Sequence, residues 1–516
     1  MQVKQTIIGS RGSELALWQA NHIKSKLLKL GLDPVIKVIK TKGDKFQDLS
    51  FDKIEGKGFF TKEIENSLLN KNIDLAVHSL KDLETEQPKG LCIAAVPKRE
   101  DPADTLLINF KSIDKTKPLE VAKNSIIGTS SARRKNQLLL FREDVTIKDL
   151  RGNVPTRINK LRKGDYDAIV LARAGLNRLE IDLSEFYAID LPTNYFIPAP
   201  AQGALGIQIR DEDTKLKELL LKINDNNSFV NIDFERKILK GIGGGCHSPF
   251  GAFSKILKDG TRNTWISFSE NANQIPTRFI SKSNNFELIV RKVQSKIIPP
   301  SSIWISRALK EDSVFRKLIN KINHKITDMS LIKLDSKNIN LLPDCDWIFL
   351  NSAFALDSIL HLKTDFNMKK IAAFGPATAK HIQKNGLNVD FIGLGSPVEI
   401  AEKFDSIISS KELVFIPSSN KSLGTVQGIL KESNKKIIKT YSTILIDKKL
   451  KDHEILVFTS PSNVEAFFKS NKISDQKVIS IGPSTTSALK NAGIINVFES
   501  FESSELALAD TVLSLT

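Results

Sequence analysis

One feature narrows the folds open to the second half of this 516-residue chain: a passage occurs in it twice. Ile348-Phe349-Leu350-Asn351-Ser352 leads into a helical pattern, and so does Leu456-Val457-Phe458-Thr459-Ser460. Ala373-Phe374-Gly375-Pro376-Ala377-Thr378 returns in the same way as Ser480-Ile481-Gly482-Pro483-Ser484-Thr485. The offset is 107 to 108 residues in both cases. A buried strand, a polar turn and a helix recurring at so long an interval imply two copies of one α/β domain. A solenoid would need shorter and more numerous repeats.

The first half carries a fainter echo. Residues 63–78 read EIENSLLNKNIDLAVH and residues 156–171 read TRINKLRKGDYDAIVL. Each is a helix, a polar turn and an aspartate ahead of a buried strand, so two similar α/β lobes with a ligand cleft between them are expected. Thr6-Ile7-Ile8 runs into Gly9-Ser10-Arg11-Gly12-Ser13 and then a helix whose apolar residues recur at Ala16, Ala20, Ile23, Leu27 and Leu30. After residue 210 the pattern changes to a helix that ends in Gly241-Ile242-Gly243-Gly244-Gly245, followed by strand-like stretches and a last helix over 285–297. Pro299-Pro300-Ser301-Ser302 reads as the linker between the halves.

Composition excludes several classes of protein. Lys+Arg number 75 against 59 Asp+Glu, a net charge of +16, but the lysines are scattered and no basic run of nucleic-acid type occurs. Aromatic residues make up 7%, too few to suggest a base-stacking surface. No apolar run approaches the roughly 18 residues of a membrane span. Three cysteines, none in a C-x-x-C pair, exclude a disulfide framework and give no zinc pattern. With no leader pattern after Met1, a cytoplasmic protein with reduced thiols is expected, and no metal.

Several candidate site residues lie where α/β folds put anion sites. Arg11 sits between a strand and a helix. Thr129-Ser130-Ser131 follows the strand Ser125-Ile126-Ile127-Gly128, with Arg133 and Arg134 entering the next helix. Arg151-Gly152-Asn153 precedes another helix that carries Arg157. Hydroxyls and guanidinium groups at helix N-termini bind carboxylate or phosphate, so a ligand with several such groups is inferred. Lys57 lies in Gly56-Lys57-Gly58-Phe59-Phe60, which fits either a basic loop over the cleft or an ordinary glycine turn. Asp82, just past the buried strand ending in His78, is the acid–base or electrostatic candidate, although a capping aspartate is the commoner role; His78 reads as a packed strand-end residue. Cys92 reads as strand core and Cys345 has no evident activator. Cys246, beside His247 and Ser248 on a glycine-rich turn, has the access a reactive thiol needs. A covalent attachment point and an incidental free thiol are both open for it at this level.

Taken together, the motifs resemble the porphobilinogen deaminase (hydroxymethylbilane synthase) family from Ile7 to about Val293. They are GSRGSELALWQA, GKGFFTKEIENSLL, DLAVHSLKDLE, KREDPADTLL, IGTSSARRKNQLL, LRGNVPTRINKLRKGDYDAIVLARAGLNRL, PAPAQGALGIQIR and GGGCHSPFGAF, in that order. The resemblance implies two periplasmic-binding-protein-like lobes plus a small α+β cofactor domain. It assigns 1–101 and 203–222 to lobe 1, 102–202 to lobe 2 and 223–298 to the cofactor-carrying domain. It implies that Cys246 carries a dipyrromethane through a thioether, and that Asp82 holds pyrrole N–H groups and stabilises the cation formed when ammonia leaves. Lys81, Asp82, Thr129, Ser130, Ser131, Arg133, Arg134 and Arg151 would hold the cofactor. Arg11, Ser13, Lys53, Lys57, Arg151, Arg157 and Gln202 would bind substrate, Lys53 and Lys57 from a loop over the cleft. Arg173 departs from the pattern, standing where small or apolar residues are also found.

The second half is similar to the uroporphyrinogen-III synthase family, through the paired passages, LVFIPSSN at 413–420 and Tyr441-Ser442-Thr443. This implies a two-lobed α/β unit, a flavodoxin-like repeat joined by a two-stranded ladder, with 301–335 and 446–516 in lobe 1 and 336–445 in lobe 2. Tyr441 is the implied catalytic side chain, with Ser352, Ser460 and Thr485 lining the cleft. Asn351 stands in place of a common threonine, and Ser306-Arg307 lacks the usual following proline. The combined expectation is a monomeric bifunctional enzyme that converts porphobilinogen to hydroxymethylbilane and then to uroporphyrinogen III, acting on small molecules with no nucleic-acid or membrane partner. A deaminase with an inactive docking module behind it is the alternative, and a binding protein for an acidic metabolite is a third reading.

Overall fold

The computed structural model describes residues 5–41, 61–245, 248–295, 298–362, 366–422, 424–430 and 435–516. The first half holds two five-stranded sheets of one design. In spatial order the first is Asp33–Val38, Gln5–Ser10, Leu75–Ser79, Leu205–Arg210 and Leu91–Ala95. The second is Thr146–Lys148, Ile126–Gly128, Ala168–Ala172, Asp104–Ile108 and Tyr187–Leu191. In each, three parallel strands are followed by one antiparallel strand that enters from the other lobe. The chain therefore crosses between lobes twice, near 96–104 and 192–204.

The aspartates of the sequence echo explain the shared design. Asp74 accepts the backbone N–H of Ile7 at 2.8 Å, and Asp167 accepts that of Ile126 at the same distance. Each carboxylate pins the start of its third strand to the first and satisfies a backbone N–H there. The crossing back to lobe 1 turns at Gly203, whose φ of +84° places the would-be Cβ 2.4 Å from the Glu100 carbonyl oxygen. Only glycine fits there.

Helix Asn226–Gly241, the antiparallel sheet Phe250–Ile256, Arg262–Phe268 and Thr277–Ser281, and helix Phe286–Gln294 form a smaller third unit. Glu235, fully buried, ties it to both crossings. Its carboxylate takes Arg99 in a fork at 2.8 and 3.0 Å and the N–H groups of Ala201 and Ser254 at 2.7 and 2.9 Å.

The second half has two sheets. One is wholly parallel, in the order Lys325–Asp328, Ser302–Ile305, Ile455–Phe458, Lys477–Ser480 and Val497–Glu499. The other runs Ile332–Ser336, Lys435–Leu445, Val414–Ser419, Trp347–Leu350, Lys370–Ala373 and Phe391–Ile392. Strand Ile332–Ser336, which straddles the expected boundary at 335, pairs antiparallel with Lys435–Leu445. These two strands carry the chain between the lobes. The repeated passages take equivalent places: Ser352 and Ser460 cap the helices that follow strands Trp347–Leu350 and Ile455–Phe458, and Gly-Pro opens helices Pro376–Lys384 and Pro483–Asn491.

The two halves meet along a buried seam. Helix Glu505–Leu515 lies against strand Thr277–Ser281, and Arg278 reaches Asp510 with Nε–Oδ1 at 3.1 Å and Nη2–Oδ2 at 2.9 Å. Neither side chain has any exposed surface. Among the described residues no helix is long and apolar enough to cross a membrane.

Candidate functional site

The cleft of the first half lies at the carboxyl ends of the parallel strands, where open α/β sheets leave room for a ligand. Strand Leu75–Ser79 ends in a single 3-10 turn, Leu80–Asp82, which presents Lys81 and Asp82. Asp82 is exposed and Lys81 half-buried. Neither side chain makes a hydrogen bond within the described residues. Burial pushes the Lys81 ammonium down to about 8, against the pull of Asp82 and with the push of Arg134.

Ser79, Lys81, Arg134, Arg157 and Arg178 line one pocket between the lobes. Arg157 belongs to helix Val154–Arg162 and donates through Nε to the Gly152 carbonyl at 2.7 Å. Burial lowers it to about 10, with Arg134 and Arg151 adding to the shift and Asp82 opposing it. Arg178 donates to the Gly203 carbonyl at 2.6 Å, and burial lowers it to about 10 against the pull of Glu100. Cations that hold their protons at some cost, with few carboxylates among them, suit a ligand that brings its own carboxylates. Arg11 follows strand Gln5–Ser10, and Ser13 caps helix Glu14–Lys29 by accepting the Ala16 N–H.

The hydroxyl loop and the arginine pair are organised from within. Ser130 Oγ both donates to the Leu150 carbonyl and accepts its N–H, each at 3.0 Å, and Thr129 Oγ1 accepts the Ser131 N–H. Arg133 and Arg134 open helix Ala132–Phe141 but are buried, and both close on Asp104. Arg133 gives Oδ2 a bond of 2.7 Å, while Arg134 gives Oδ1 bonds of 2.6 and 3.1 Å. Arg133 also donates to the Ile197 carbonyl and Arg134 to that of Val170. Burial alone would raise the Asp104 carboxyl; the two guanidinium groups outweigh it and hold it well below the usual carboxylate range.

Gln202, expected at the substrate, is 1% exposed and donates to Asp104 Oδ1 at 3.0 Å and to the Pro102 carbonyl at 2.8 Å. Asp104, Arg178 and Glu235 were not singled out in the sequence. Asp104 ends the KREDPAD run and Arg178 closes the ARAGLNR run, but neither shows a local pattern that distinguishes it. His78 is packed as read: buried, 3.1 Å from Gln208 Oε1, and pushed by burial to about 4.

Cys246, Lys53 and Lys57 lie outside the described residues. Beside the first, Gly245 N–H donates to Ser248 Oγ at 2.9 Å, and Gly243 has a φ of +70°. The other thiols are not activated: burial raises both, that of Cys345 to about 11. No group of three or more His, Cys, Asp or Glu suited to a metal occurs among the described residues.

In the second half, Tyr441 lies on the connecting ladder, opposite Ser336. It is buried, its ring set edge-on to Phe354 and its hydroxyl 3.3 Å from Ser352 Oγ. Ser352 and Ser460 point their oxygens at the N–H groups of Ala355 and Asn463. Thr485 is fully buried in the first turn of helix Pro483–Asn491, and its hydroxyl has no hydrogen-bond partner among the described residues. The structure thus brings Ser352 to Tyr441 and leaves Ser460 and Thr485 in the other lobe.

Two family models match the chain. One, described as porphobilinogen deaminase, dipyromethane cofactor binding domain, covers residues 6–218. The other, described as uroporphyrinogen-III synthase HemD, covers residues 314–509. The porphobilinogen deaminase of Maridesulfovibrio salexigens is 44% identical over 265 residues, which are 51% of this chain and 84% of that protein. That of Clostridium novyi is 44% identical over 279 residues, 52% of this chain and 90% of the relative. Among solved structures, the uroporphyrinogen-III synthetase of Helicobacter pylori aligns at 20% identity, covering 42% of this chain and 100% of its own, with a TM-score of 0.33.

Proposed function

The chain belongs to the porphobilinogen deaminase family and carries a uroporphyrinogen-III synthase domain behind it, and from that premise we propose how its residues divide the work. It is a bifunctional enzyme of tetrapyrrole biosynthesis. Four porphobilinogens are condensed into hydroxymethylbilane with release of ammonia, and the product is cyclised to uroporphyrinogen III with inversion of its last ring.

In this reading the first half divides as 1–101 with 203–222, 102–202 and 223–298, and the second as 301–335 with 446–516 and 336–445. Cys246 holds a dipyrromethane covalently, and that group, when bound, anchors the growing chain. Lys81, Arg133, Arg134 and Arg151 face its carboxylates, with Thr129, Ser130 and Ser131 ordering the loop around them. Arg11, Ser13, Arg157 and the loop lysines Lys53 and Lys57 grip each incoming pyrrole, and Gln202 fixes the crossing segment. Asp82 accepts pyrrole N–H groups and faces the positive charge that develops as ammonia leaves. The observation that carries this reading is the pocket itself. Lys81, Arg134, Arg157 and Arg178 line it together, and the exposed carboxylate of Asp82 acts on Lys81 and Arg157 from beside it. In the second half, the Tyr441 hydroxyl, aligned by Ser352, assists loss of water from the linear product. The enzyme acts in the cytoplasm as a monomer on these small molecules.

Intact mass tests the first half: the purified protein carries a dipyrrole adduct, and Cys246→Ser removes it. An unmodified parent, or an adduct that survives the substitution, overturns the assignment. Incubation with porphobilinogen tests the second. Uroporphyrinogen III is the expected product, and isomer I alone would make the C-terminal half a docking module.

A further inference from the structure

A single hydrophobic cluster runs through three units that belong to two different enzymes. It joins Leu138 and Phe141 of deaminase lobe 2, Phe279 and Ile289 of the cofactor-carrying domain, and Phe315 and Leu508 of synthase lobe 1. Deaminase lobe 1 and synthase lobe 2 each have cores of their own, around Ile23 and Ile207 in the first and around Ile371 and Phe404 in the second. Polar links close the same three-way junction. Arg278, on the cofactor-carrying domain, holds Asp510 of the synthase and also donates to the Asn194 and Tyr195 carbonyls of the crossing segment, at 2.7 Å each. Asn194 in turn donates to Glu502 at 2.9 Å, and Lys317 reaches Glu143 at 2.8 Å.

We propose that deaminase lobe 2, the cofactor-carrying domain and synthase lobe 1 form one permanently docked block, the surface around Arg278 having the synthase as its structural partner. Synthase lobe 2 flanks this block with cores of its own, while deaminase lobe 1 keeps its own core and packs on the cofactor-carrying domain through Leu80, Leu83 and Ile232, with Arg236 donating to the Leu80 and Leu83 carbonyls. The argument is one of burial. A guanidinium without exposed surface is tolerated only while its carboxylate and carbonyl partners are in place, so separating the halves strands a charge in a dry site. A flexible tether between independent enzymes would need no such pair. The inference holds whatever reactions the two halves catalyse.

Hydrogen exchange on the full chain tests it. Amides of strand Arg262–Phe268 and of helix Glu505–Leu515, on opposite sides of the seam, open together. Asp510→Asn, which keeps the volume and removes the charge, raises exchange on both sides by about a hundredfold or more. Amides of Gln5–Ser10 and Trp347–Leu350, in the flanking lobes, keep their protection. Acceleration confined to Glu505–Leu515 would overturn the proposal. A second variant carries a protease site after Pro300: once nicked, the halves co-elute at nanomolar concentration in gel filtration. Their separation would overturn the proposal even if the Asp510 variant failed to accumulate.

Discussion

Arg133 and Arg134, neighbours in sequence, grip opposite oxygens of the single carboxylate of Asp104. Two adjacent cations buried side by side repel one another, and Asp104 makes that arrangement possible in the wall of a cleft that must remain positive. Gln202 adds a third donor to the same carboxylate, so the crossing segment and helix Ala132–Phe141 share one anchor.

Asp104→Asn therefore leaves two buried guanidinium groups uncompensated and costs about 3–5 kcal/mol of stability. The sign with pH is fixed by the depressed carboxyl. Its contribution is complete above the unfolded value of 3.8 and is lost as pH falls through the lower folded value. Thermal melts of the parent below pH 4 should fall more steeply with acid than those of the variant.

Lys81 makes the cleft sensitive to alkali. With its ammonium near 8, it loses charge as pH rises past that point, and the grip on a carboxylate weakens. KM for porphobilinogen should rise about three- to tenfold between pH 8 and 9, and Lys81→Arg should abolish that limb. The stability effect has the opposite sign: between about 8 and 10.5 the unfolded chain binds more protons at this residue, so its contribution improves with pH.

Gly203 and Gly164 both have positive φ, +84° and +83°, but only the first has backbone where a Cβ would go. Gly164→Ala should cost about 1 kcal/mol, for conformation alone. Gly203→Ala should cost about 3 kcal/mol or more in denaturant titrations, because Glu100 cannot yield without moving the crossing. Equal costs would remove the close approach of the Glu100 carbonyl from the account of this glycine.

Tyr441→Phe preserves the ring against Phe354 and deletes one hydroxyl. Porphobilinogen should still be consumed, while the yield of uroporphyrinogen III should fall by about ten- to a hundredfold in favour of isomer I. Chromatography of the two isomers gives the ratio directly. An unchanged ratio would leave Tyr441 as packing on the ladder.

What could be read in the sequence was local. The serines and Gly-Pro steps of the repeat act within a few residues of the helices they open, so their spacing is visible as pattern; the echoed aspartates show by position, although the N–H groups they accept, of Ile7 and Ile126, lie 67 and 41 residues away. The internal bonding of the cleft is not local. Asp104 meets its arginines across 29 and 30 residues and Gln202 across 98, and a single buried carboxylate has no period. Exposure was equally hidden. Thr485 follows the Gly-Pro step at the end of a strand, where a cleft residue is expected, yet in the first turn of its helix it is fully buried, because what covers a residue is decided by distant chain.

The Arg278–Asp510 pair also sets an order of events on the ribosome. The partners are 232 residues apart, which at roughly 5–20 residues per second is roughly 10–50 s of translation. For that interval the deaminase half has all its own strands while the face that helix Glu505–Leu515 will cover stays open to water. Each nascent chain passes through a stage in which the first enzyme is complete in sequence but unsealed. A message truncated between codons 298 and 505 would yield that stage as its final product.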